Sequence, residues 1–468
     1  MKIGWLRVFF LLVLALLFGC IVVLARSPVP VRDWLEHPRE AWLLDQGRNP
    51  QVLPVTYPAP APVSAPLSAA ALLGRQLFFD PHLSGSGLQS CASCHDPGHA
   101  YAPGNARAVQ LGGKDLKQAG VRAVPSLRYL YRQPNFSIGP DNPANENVSL
   151  SALAQHAPPP AAKSATATVV RIVPQGGLFW DGRADTLQQQ AGGPLFNPLE
   201  MGAGSIGRVY GILRASSYAS AFARLFGAGV LNNPDLMVNE AQFAIAHYQM
   251  EDPSFHPYTS KFDAWLQGRA RFTREEVRGY LAFNDPKRGN CAACHLDRPT
   301  KDGLPPLLTD MQYEALGVPR NAEIPANRNP HYFDLGLCGP YRTDLGQQTH
   351  YCGMFLTPTL RNVATRHAFF HNGEYHTLGQ VMDFYALRDT EPQTIYAKDS
   401  TEKTEKFNDI PLAERGNVDV TDAPFNRKTG DIPALSAQDR RDIIAFLRTL
   451  NDGYSPYQHE SLQRETRR

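Results

Sequence analysis

The chain has 468 residues, which is enough for roughly two to four domains with a buried core in each. Its 46 basic and 44 acidic residues leave a formal net charge of +2, so charge gives no ground for a nucleic acid or other polyanion as partner. The 39 prolines and 37 glycines favour a loop-rich chain.

The chain begins with an apolar run of 18 residues, 8–25, that follows Lys2 and Arg7. A run of this length can just span a bilayer, and it is long for the apolar core of a cleaved signal. We therefore expect residues 1–27 to anchor the chain in the bacterial inner membrane, with the remainder on the periplasmic face. Cleavage is the alternative, either of a signal that frees the chain into the periplasm or of a lipoprotein signal that ends at Cys20.

Residues 28–67 are predicted to be a proline-rich linker, in which the segment 57–62 favours extended polyproline structure. From Ser68 onward, apolar residues recur on one helical face until Pro81 ends the segment. This helix opens a first domain that we place at 68–265.

Two pentapeptides carry the strongest chemical signal, Cys91-Ala-Ser-Cys94-His95 and Cys291-Ala-Ala-Cys294-His295. In each, two thiols three residues apart can bond the two vinyl groups of one haem, and the next residue offers an imidazole to the iron. A zinc site would need four ligands that converge on one point, and a redox dithiol needs no following histidine. The pattern predicts two covalent haems c, held by Cys91 and Cys94 and by Cys291 and Cys294, with His95 and His295 as iron ligands.

A low-complexity stretch at 135–168 is predicted to be a surface insertion. The helix before the second motif repeats the arrangement before the first, which places a domain boundary near 263–271 and a second haem domain at 266–455. A polar tail at 456–468 ends the chain. Apolar periodicity and a capping box at Ser436 and Asp439 predict further helices near 186–190, 239–250, 273–283 and 436–450.

Strand signals are sparse, so we expect a mainly α fold of two cytochrome c-like haem domains with long loops. Cys338 and Cys352 are the even pair that remains in the soluble part once the haem thiols are set aside. They predict a disulfide, which would require an oxidising compartment such as the periplasm. Two buried free thiols are the alternative.

The chain resembles the bacterial dihaem cytochrome c peroxidase family, which includes MauG-type members that oxidise tryptophan residues of a partner protein. The resemblance covers roughly residues 69–450 and rests on a series of ordered segments. These are Leu77-Phe78-Phe79-Asp80, Phe179-Trp180-Asp181-Gly182-Arg183, Gln190-Ala191-Gly192-Gly193-Pro194, Asn197-Pro198-Leu199-Glu200-Met201, Thr357-Pro358-Thr359-Leu360-Arg361-Asn362-Val363 and Phe370-His371-Asn372-Gly373.

The resemblance implies that the first haem is peroxidatic and that the second collects or stores electrons. Glu200 matches the family's distal acid and base, and Gln190 matches its companion amide. Peroxide cleavage needs such a base for the proximal oxygen and a donor for the leaving oxygen. Trp180 matches an aromatic residue that relays electrons between the haems. The plain alternatives are a solvated surface glutamate and an ordinary buried tryptophan.

In several family peroxidases a distal histidine blocks the first haem until the second is reduced. Here no histidine lies between Leu111 and Gly120, so the resemblance implies an open first haem in the resting protein. His156 in the insertion is a substitute if that loop folds inward.

The second haem's other axial ligand departs from the peroxidase pattern. Family peroxidases carry a methionine after the Phe-His-x-Gly segment, whereas MauG-type members carry a tyrosine, and the matching position here is Tyr385. A phenolate would lower the haem potential and stabilise high-valent iron. Its spacing also suits an ordinary packing residue on a helix. Met382 and Met354 are the reserve ligands.

Calcium between the haems is common in the family, but the matching asparagine is Ala123 here and the matching threonine is Arg366. One side-chain oxygen is lost and a cation is introduced, so the resemblance gives calcium little support, although backbone carbonyls could still ligate it.

The leading hypothesis is a membrane-anchored dihaem peroxidase that reduces hydrogen peroxide with electrons from a small cytochrome or cupredoxin. A MauG-like oxidant of aromatic residues on a protein partner is the second hypothesis, and a plain electron-transfer cytochrome is the third. The family resemblance also suits a homodimer.

Overall fold

The computed structural model describes residues 27–50, 66–140, 172–300, 303–399 and 401–455. Almost all of the predicted anchor, most of the insertion with His156, and the tail at 456–468 lie outside these residues. Within the described ranges, no helix is both long and apolar enough to cross a bilayer.

The described residues are mainly helical, as the sequence predicts. The first half contains α1 Val31–Glu36, α2 Pro38–Asp45, α3 Ala69–Phe79, α4 Cys91–Cys94, α5 Leu187–Phe196, α6 Ile206–Ala215, α7 Ala219–Phe226 and α8 Pro234–Glu251. The second half contains α9 Lys261–Leu266, α10 Arg274–Asn284, α11 Leu378–Leu387 and α12 Ala437–Arg448. Short one-turn helices fill many of the connections between them.

The strands are short and pair antiparallel. They are β1 Leu111–Gly112 with β2 Gln118–Ala119, β3 Ser137–Pro140 with β4 Ile172–Gln175, and β5 Tyr313–Glu314 with β6 Phe355–Leu356. Each of these sheets has two strands, so they connect loops rather than form a core layer.

The helix starts follow the capping pattern in the sequence. The side chains of Thr186, Thr273 and Ser436 cap α5, α10 and α12 by accepting a backbone N–H three residues on. Such caps satisfy amide groups that the first helical turn leaves free. The predicted helices near 186–190, 239–250, 273–283 and 436–450 are confirmed.

Each haem motif is preceded by a helix that crosses a second helix at a glycine. A Cβ built on Gly74 of α3 would lie 1.8 Å from the carbonyl oxygen of Ala244 in α8. A Cβ on Gly279 of α10 would lie 1.9 Å from the carbonyl oxygen of Asp442 in α12. Backbones this close admit no side chain, so the two halves repeat one packing unit.

Two apolar cores correspond to these halves. Phe78, Leu213 and Phe222 are buried in the first, while Phe262 and Phe446 are buried in the second. Arg122 pairs with Asp334 at 2.6 Å and Arg128 pairs with Asp452 at 3.0 Å, which ties the first half to the second.

Two predicted segment limits differ from the structure. The linker prediction for 28–67 is too long, because α1 and α2 fold within it and Ala41 and Leu44 join the second core. A boundary after residue 265 also falls inside α9, whose Trp265 belongs to that core and donates to the carbonyl of Gly47 at 3.0 Å. Burial of this apolar surface holds both segments against the second half.

Cys338 and Cys352 form the predicted disulfide, with their Cα atoms 5.0 Å apart. Cys91, Cys94, Cys291 and Cys294 are free thiols.

Candidate active site

The first haem motif holds its histidine in one orientation. α4 carries Cys91 and Cys94, and His95 follows directly. Because a carbonyl can only accept, the 3.0 Å contact between His95 Nδ1 and the oxygen of Tyr101 makes Nδ1 the donor and leaves Nε2 as the basic nitrogen. Burial lowers the pKa of His95 to about 4, which keeps the ring neutral as an iron ligand requires.

The second motif repeats this geometry. His295 Nδ1 lies 2.9 Å from the carbonyl oxygen of Leu308, and burial lowers the pKa of His295 to about 4. The two accepting residues, Tyr101 and Leu308, both have left-handed backbone, with φ of 55° and 57°. Non-glycine residues rarely adopt this conformation, and its recurrence at both histidines links it to their orientation.

A cavity of about 130 Å³ faces the first motif. Free thiols, a neutral imidazole and apolar walls fit a covalently attached haem there. The predicted residues Glu200, Gln190 and Trp180 all line this cavity together with Cys91, Cys94 and His95. Segments that are far apart in sequence therefore meet at one site.

The carboxyl group of Glu200 is held at this cavity by its neighbours. Asn197 donates its side-chain amide to Glu200 Oε1 at 2.6 Å. Gly113 donates its backbone N–H to the Glu200 carbonyl at 2.6 Å, which fixes the backbone. Burial raises the pKa of Glu200, while Arg183 and Arg122 act against that rise. A carboxyl in this environment can both accept and return a proton.

Gln190 lies on α5 and is buried. Its side-chain amide forms no hydrogen bond with any described residue, so its N–H groups are free for a ligand in the cavity.

Trp180 lines both the first cavity and the second. Its Nε1 donates to the carbonyl oxygen of Ala123 at 2.8 Å, which fixes the indole plane. The position between the two cavities is the one that the relay interpretation requires.

The second cavity, of about 260 Å³, holds the second motif and Tyr385 of α11. Among the described residues, none forms a hydrogen bond with the Tyr385 hydroxyl. Burial raises the pKa of this phenol. Met382 also lines the cavity, whereas Met354 does not. The structure thus brings Tyr385 and Met382, one of the two alternative ligands, to the second cavity.

No histidine apart from His95 lines the first cavity in the described part of the chain. The segment 111–120, where a blocking histidine would be expected, forms the β1 and β2 hairpin against Glu200. His156 falls outside the described residues, so its role stays a prediction.

Tyr341 is a cavity residue that the sequence did not single out. It lines the first cavity, and its ring centroid lies 5.1 Å from Arg122 Cζ and 4.9 Å from Arg183 Cζ. Glu200 and burial raise the pKa of its hydroxyl. No recognisable motif surrounds Tyr341. Its position in the loop that the Cys338–Cys352 disulfide closes was the one sequence feature that could have pointed to it.

The described residues contain no group of three histidine, cysteine or acidic side chains placed to hold a metal ion. The Arg366 guanidinium, at the position of the family's calcium-binding threonine, contacts backbone carbonyls instead. The expectation that calcium binding is doubtful therefore stays a prediction.

Comparison with known proteins gives consistent matches. A family model described as di-haem cytochrome c peroxidase matches residues 68–271. The methylamine utilization protein MauG of Paracoccus denitrificans is 32% identical over 402 residues, which covers 84% of this chain and 91% of that protein. The cytochrome c551 peroxidase of Nitrosomonas europaea is 30% identical over 315 residues, 67% of this chain and 71% of that protein.

A solved structure shows the same fold. The crystal structure of the diheme peroxidase BthA from Burkholderia thailandensis matches with a TM-score of 0.71 and 36% sequence identity. The match covers 83% of this chain and 87% of that one.

Proposed function

The chain belongs to the dihaem cytochrome c peroxidase family that includes MauG, and from this membership we propose that it reduces hydrogen peroxide to water with electrons from a small redox protein. The observation that carries the proposal is the first cavity, where Glu200 and Gln190 face the haem-binding motif and no second histidine lines the wall in the described residues. An electron-transfer cytochrome has no need of this acid and amide pair.

Two haems c, held through Cys91, Cys94 and His95 and through Cys291, Cys294 and His295, would supply the iron and the redox chemistry for peroxide reduction. Glu200 takes a proton from the peroxide oxygen nearest the metal and returns it to the distal oxygen, which leaves as water. Gln190 donates an amide N–H to the departing oxygen. Two electrons and two further protons complete the reduction to a second water.

Trp180 carries electrons from the second cavity to the first, since its indole lines both. Tyr385, which lines the second cavity, would supply a phenol oxygen to the haem held there. Cys291 and Cys294 line the same cavity.

Electron paramagnetic resonance of the resting protein distinguishes a peroxidase from an electron-transfer cytochrome. We expect one high-spin iron, because no histidine other than His95 lines the first cavity among the described residues. Two low-spin signals and no response to peroxide would assign the chain to electron transfer.

A MauG-like oxidation of aromatic residues on a partner protein is the second candidate. Tyr385 favours it, because an anionic oxygen ligand stabilises iron above the ferric state. One equivalent of peroxide added to the diferric protein, followed by Mössbauer spectroscopy, separates the two enzymes. Both irons oxidised above ferric would support the protein oxidant, whereas rapid turnover of a reduced cytochrome without such species supports the peroxidase.

We further propose that the enzyme acts at the periplasmic face of the inner membrane, held by residues 1–27. The Cys338–Cys352 disulfide supports an oxidising compartment. Fractionation of cells and an intact mass of the purified chain distinguish an uncleaved anchor from a cleaved or lipidated one. Sedimentation of the haem-loaded protein tests the homodimer.

A further inference from the structure

A cation lies between the two cavities. Arg366 follows the one-turn helix Val363–Thr365 and lines the second cavity. Its Nη2 donates to the carbonyl oxygens of Val124 at 3.1 Å and Ala368 at 3.2 Å. Val124 lines the first cavity, so this guanidinium joins the walls of both.

Arg366 is partly buried, and it differs from three arginines whose buried side chains pair with aspartates. Those pairs are Arg122 with Asp334, Arg361 with Asp263 and Arg388 with Asp389, at 2.6, 2.9 and 2.7 Å. No carboxylate of the described residues lies within ion-pair distance of Arg366. Burial without an opposing anion lowers the pKa of Arg366 to about 10. Because a buried charge is costly unless it is paired, the site calls for an anion that the protein itself does not supply there.

The guanidinium also has donors to spare. An arginine carries five N–H groups, and Nη2 uses its two on Val124 and Ala368. Nε and Nη1 make no hydrogen bond with the described residues. Carboxylates suit such donors well, because charge-assisted hydrogen bonds to guanidinium are short and strong.

Every haem c carries two propionate carboxylates, and the second motif places a haem in the cavity that Arg366 lines. We propose that Arg366 binds a propionate of the second haem and so acts as the fixed cation between the two haems. This inference rests on the proposed function, since it requires haem at Cys291 and Cys294.

The cation has two electrostatic consequences. A positive charge beside the second haem favours its reduced form and opposes the effect of a Tyr385 phenolate. The same charge also acts on the first haem site through the contact with Val124, and it favours the reduced form of that haem in the same way. Arg366 is thus a positioning residue that sets the haem potentials while its bond to Val124 ties the propionate to the first half of the chain.

The test compares the full-length haem-loaded protein with Arg366→Gln and Arg366→Lys. Arg214→Gln is the control, because Arg214 is exposed on α6 and lines neither cavity. Covalent haem is counted by intact mass, haem reduction potentials are measured by spectroelectrochemistry, and propionate bending modes are recorded by resonance Raman spectroscopy.

We expect Arg366→Gln to lower the potential of the second haem and to shift one propionate mode, while Arg214→Gln changes neither. Arg366→Lys should keep the potential near that of the parent and still shift the mode, because it retains the charge but not the guanidinium donors. The lysine variant decides the question if the glutamine variant does not fold.

The outcomes separate the two levels of the proposal. A parent protein without two covalent haems would overturn the proposed function itself. Two attached haems with potentials and propionate modes unchanged in the Arg366 variants would overturn the role of Arg366 alone.

Discussion

At Glu200, burial and neighbouring cations act on one carboxyl group in opposite directions. Burial raises its pKa, and Arg183, Asn197 and Arg122 lower it, with a net rise above the ordinary glutamate value. The group therefore changes protonation closer to neutral pH than an exposed glutamate does. A proton shuttle works best in that range.

Glu200→Gln should lower kcat/KM for peroxide by about 10²–10⁴-fold, the usual contribution of a positioned acid and base. In the parent, kcat/KM should rise with pH through a pKa above the ordinary glutamate value, because Glu200 must be ionised to accept the first proton. Steady-state assays from acid to neutral pH should show that this rise of kcat/KM with pH is lost in the variant.

Glu240→Gln is the matched control for that measurement. Burial also raises the pKa of Glu240, but this residue does not line either cavity. An equal loss of activity in both variants would argue against a specific role of Glu200.

Tyr385→Phe should raise the reduction potential of the second haem and change its low-spin resonance, because the proposed anionic oxygen ligand would be removed. Tyr375→Phe is the control, since Tyr375 is a partly buried tyrosine whose inaccessible hydroxyl forms no hydrogen bond and which does not line the second cavity. Potentiometry and electron paramagnetic resonance give the readout. An unchanged spectrum in Tyr385→Phe would transfer the ligand role to Met382.

Among the helices, the two glycine crossings place both haem motifs. Gly74 lets α3 approach α8, and Gly279 lets α10 approach α12. The chain continues from α3 and from α10 into the two motifs, so the crossings determine where each pair of thiols lies. Interiors are packed as densely as organic crystals, which leaves no room for even one methyl group at such contacts.

Gly279→Ala should destabilise the protein by about 1–3 kcal/mol, the usual cost of overpacking. Its Cβ would lie 1.9 Å from the Asp442 carbonyl oxygen and would push α10 away from α12. Denaturant unfolding of the haem-loaded protein measures the change.

Gly211→Ala provides the contrast. Gly211 lies within α6, and a Cβ there meets nothing within 4 Å. This variant should gain about 0.5–1 kcal/mol, because alanine loses less backbone entropy than glycine in a helix. Equal effects in both variants would contradict the steric explanation.

Across the whole molecule, polar contacts hold the halves in register around the cavities. Arg122 joins Asp334 to Asp181, and Asp181 also pairs with Arg183 of the first cavity. Asp452 accepts from Arg128 and Asn362 at 3.0 and 2.6 Å. Charges that bind the halves together thus also surround the proposed catalytic group.

Chelation of divalent cations should leave the melting temperature and the proposed peroxidase activity of the whole enzyme unchanged, because the family resemblance puts Ala123 and Arg366 at the positions of the asparagine and threonine of the calcium site. Calorimetry and activity after dialysis against a chelator, with and without added calcium, check this. If chelation lowers the melting temperature or the activity and added calcium restores it, backbone carbonyls bind the ion after all.

Part of the site was predictable from local sequence. The haem motifs place thiols and histidine within five residues, so their proximity needs no tertiary information. Helix starts such as Thr273 and Ser436 were equally readable, because a cap acts on amides within one turn. By contrast, residues 28–50 read as linker because short amphipathic helices carry weak periodicity, and only packing against Trp265 reveals their place.

The sequence by itself predicted the two haem-binding motifs, the disulfide pair and most of the longer helices, since each depends on residue types at short spacing along the chain. Only the tertiary structure decided that Trp180 lines both cavities, that Tyr341 and two arginines surround Glu200, and that Arg366 lies between the haem sites without a carboxylate partner in the described residues. Relations such as Tyr341 with Glu200 and Arg366 with Val124 join segments more than 100 residues apart, and the distances between such segments are set by packing rather than by local pattern.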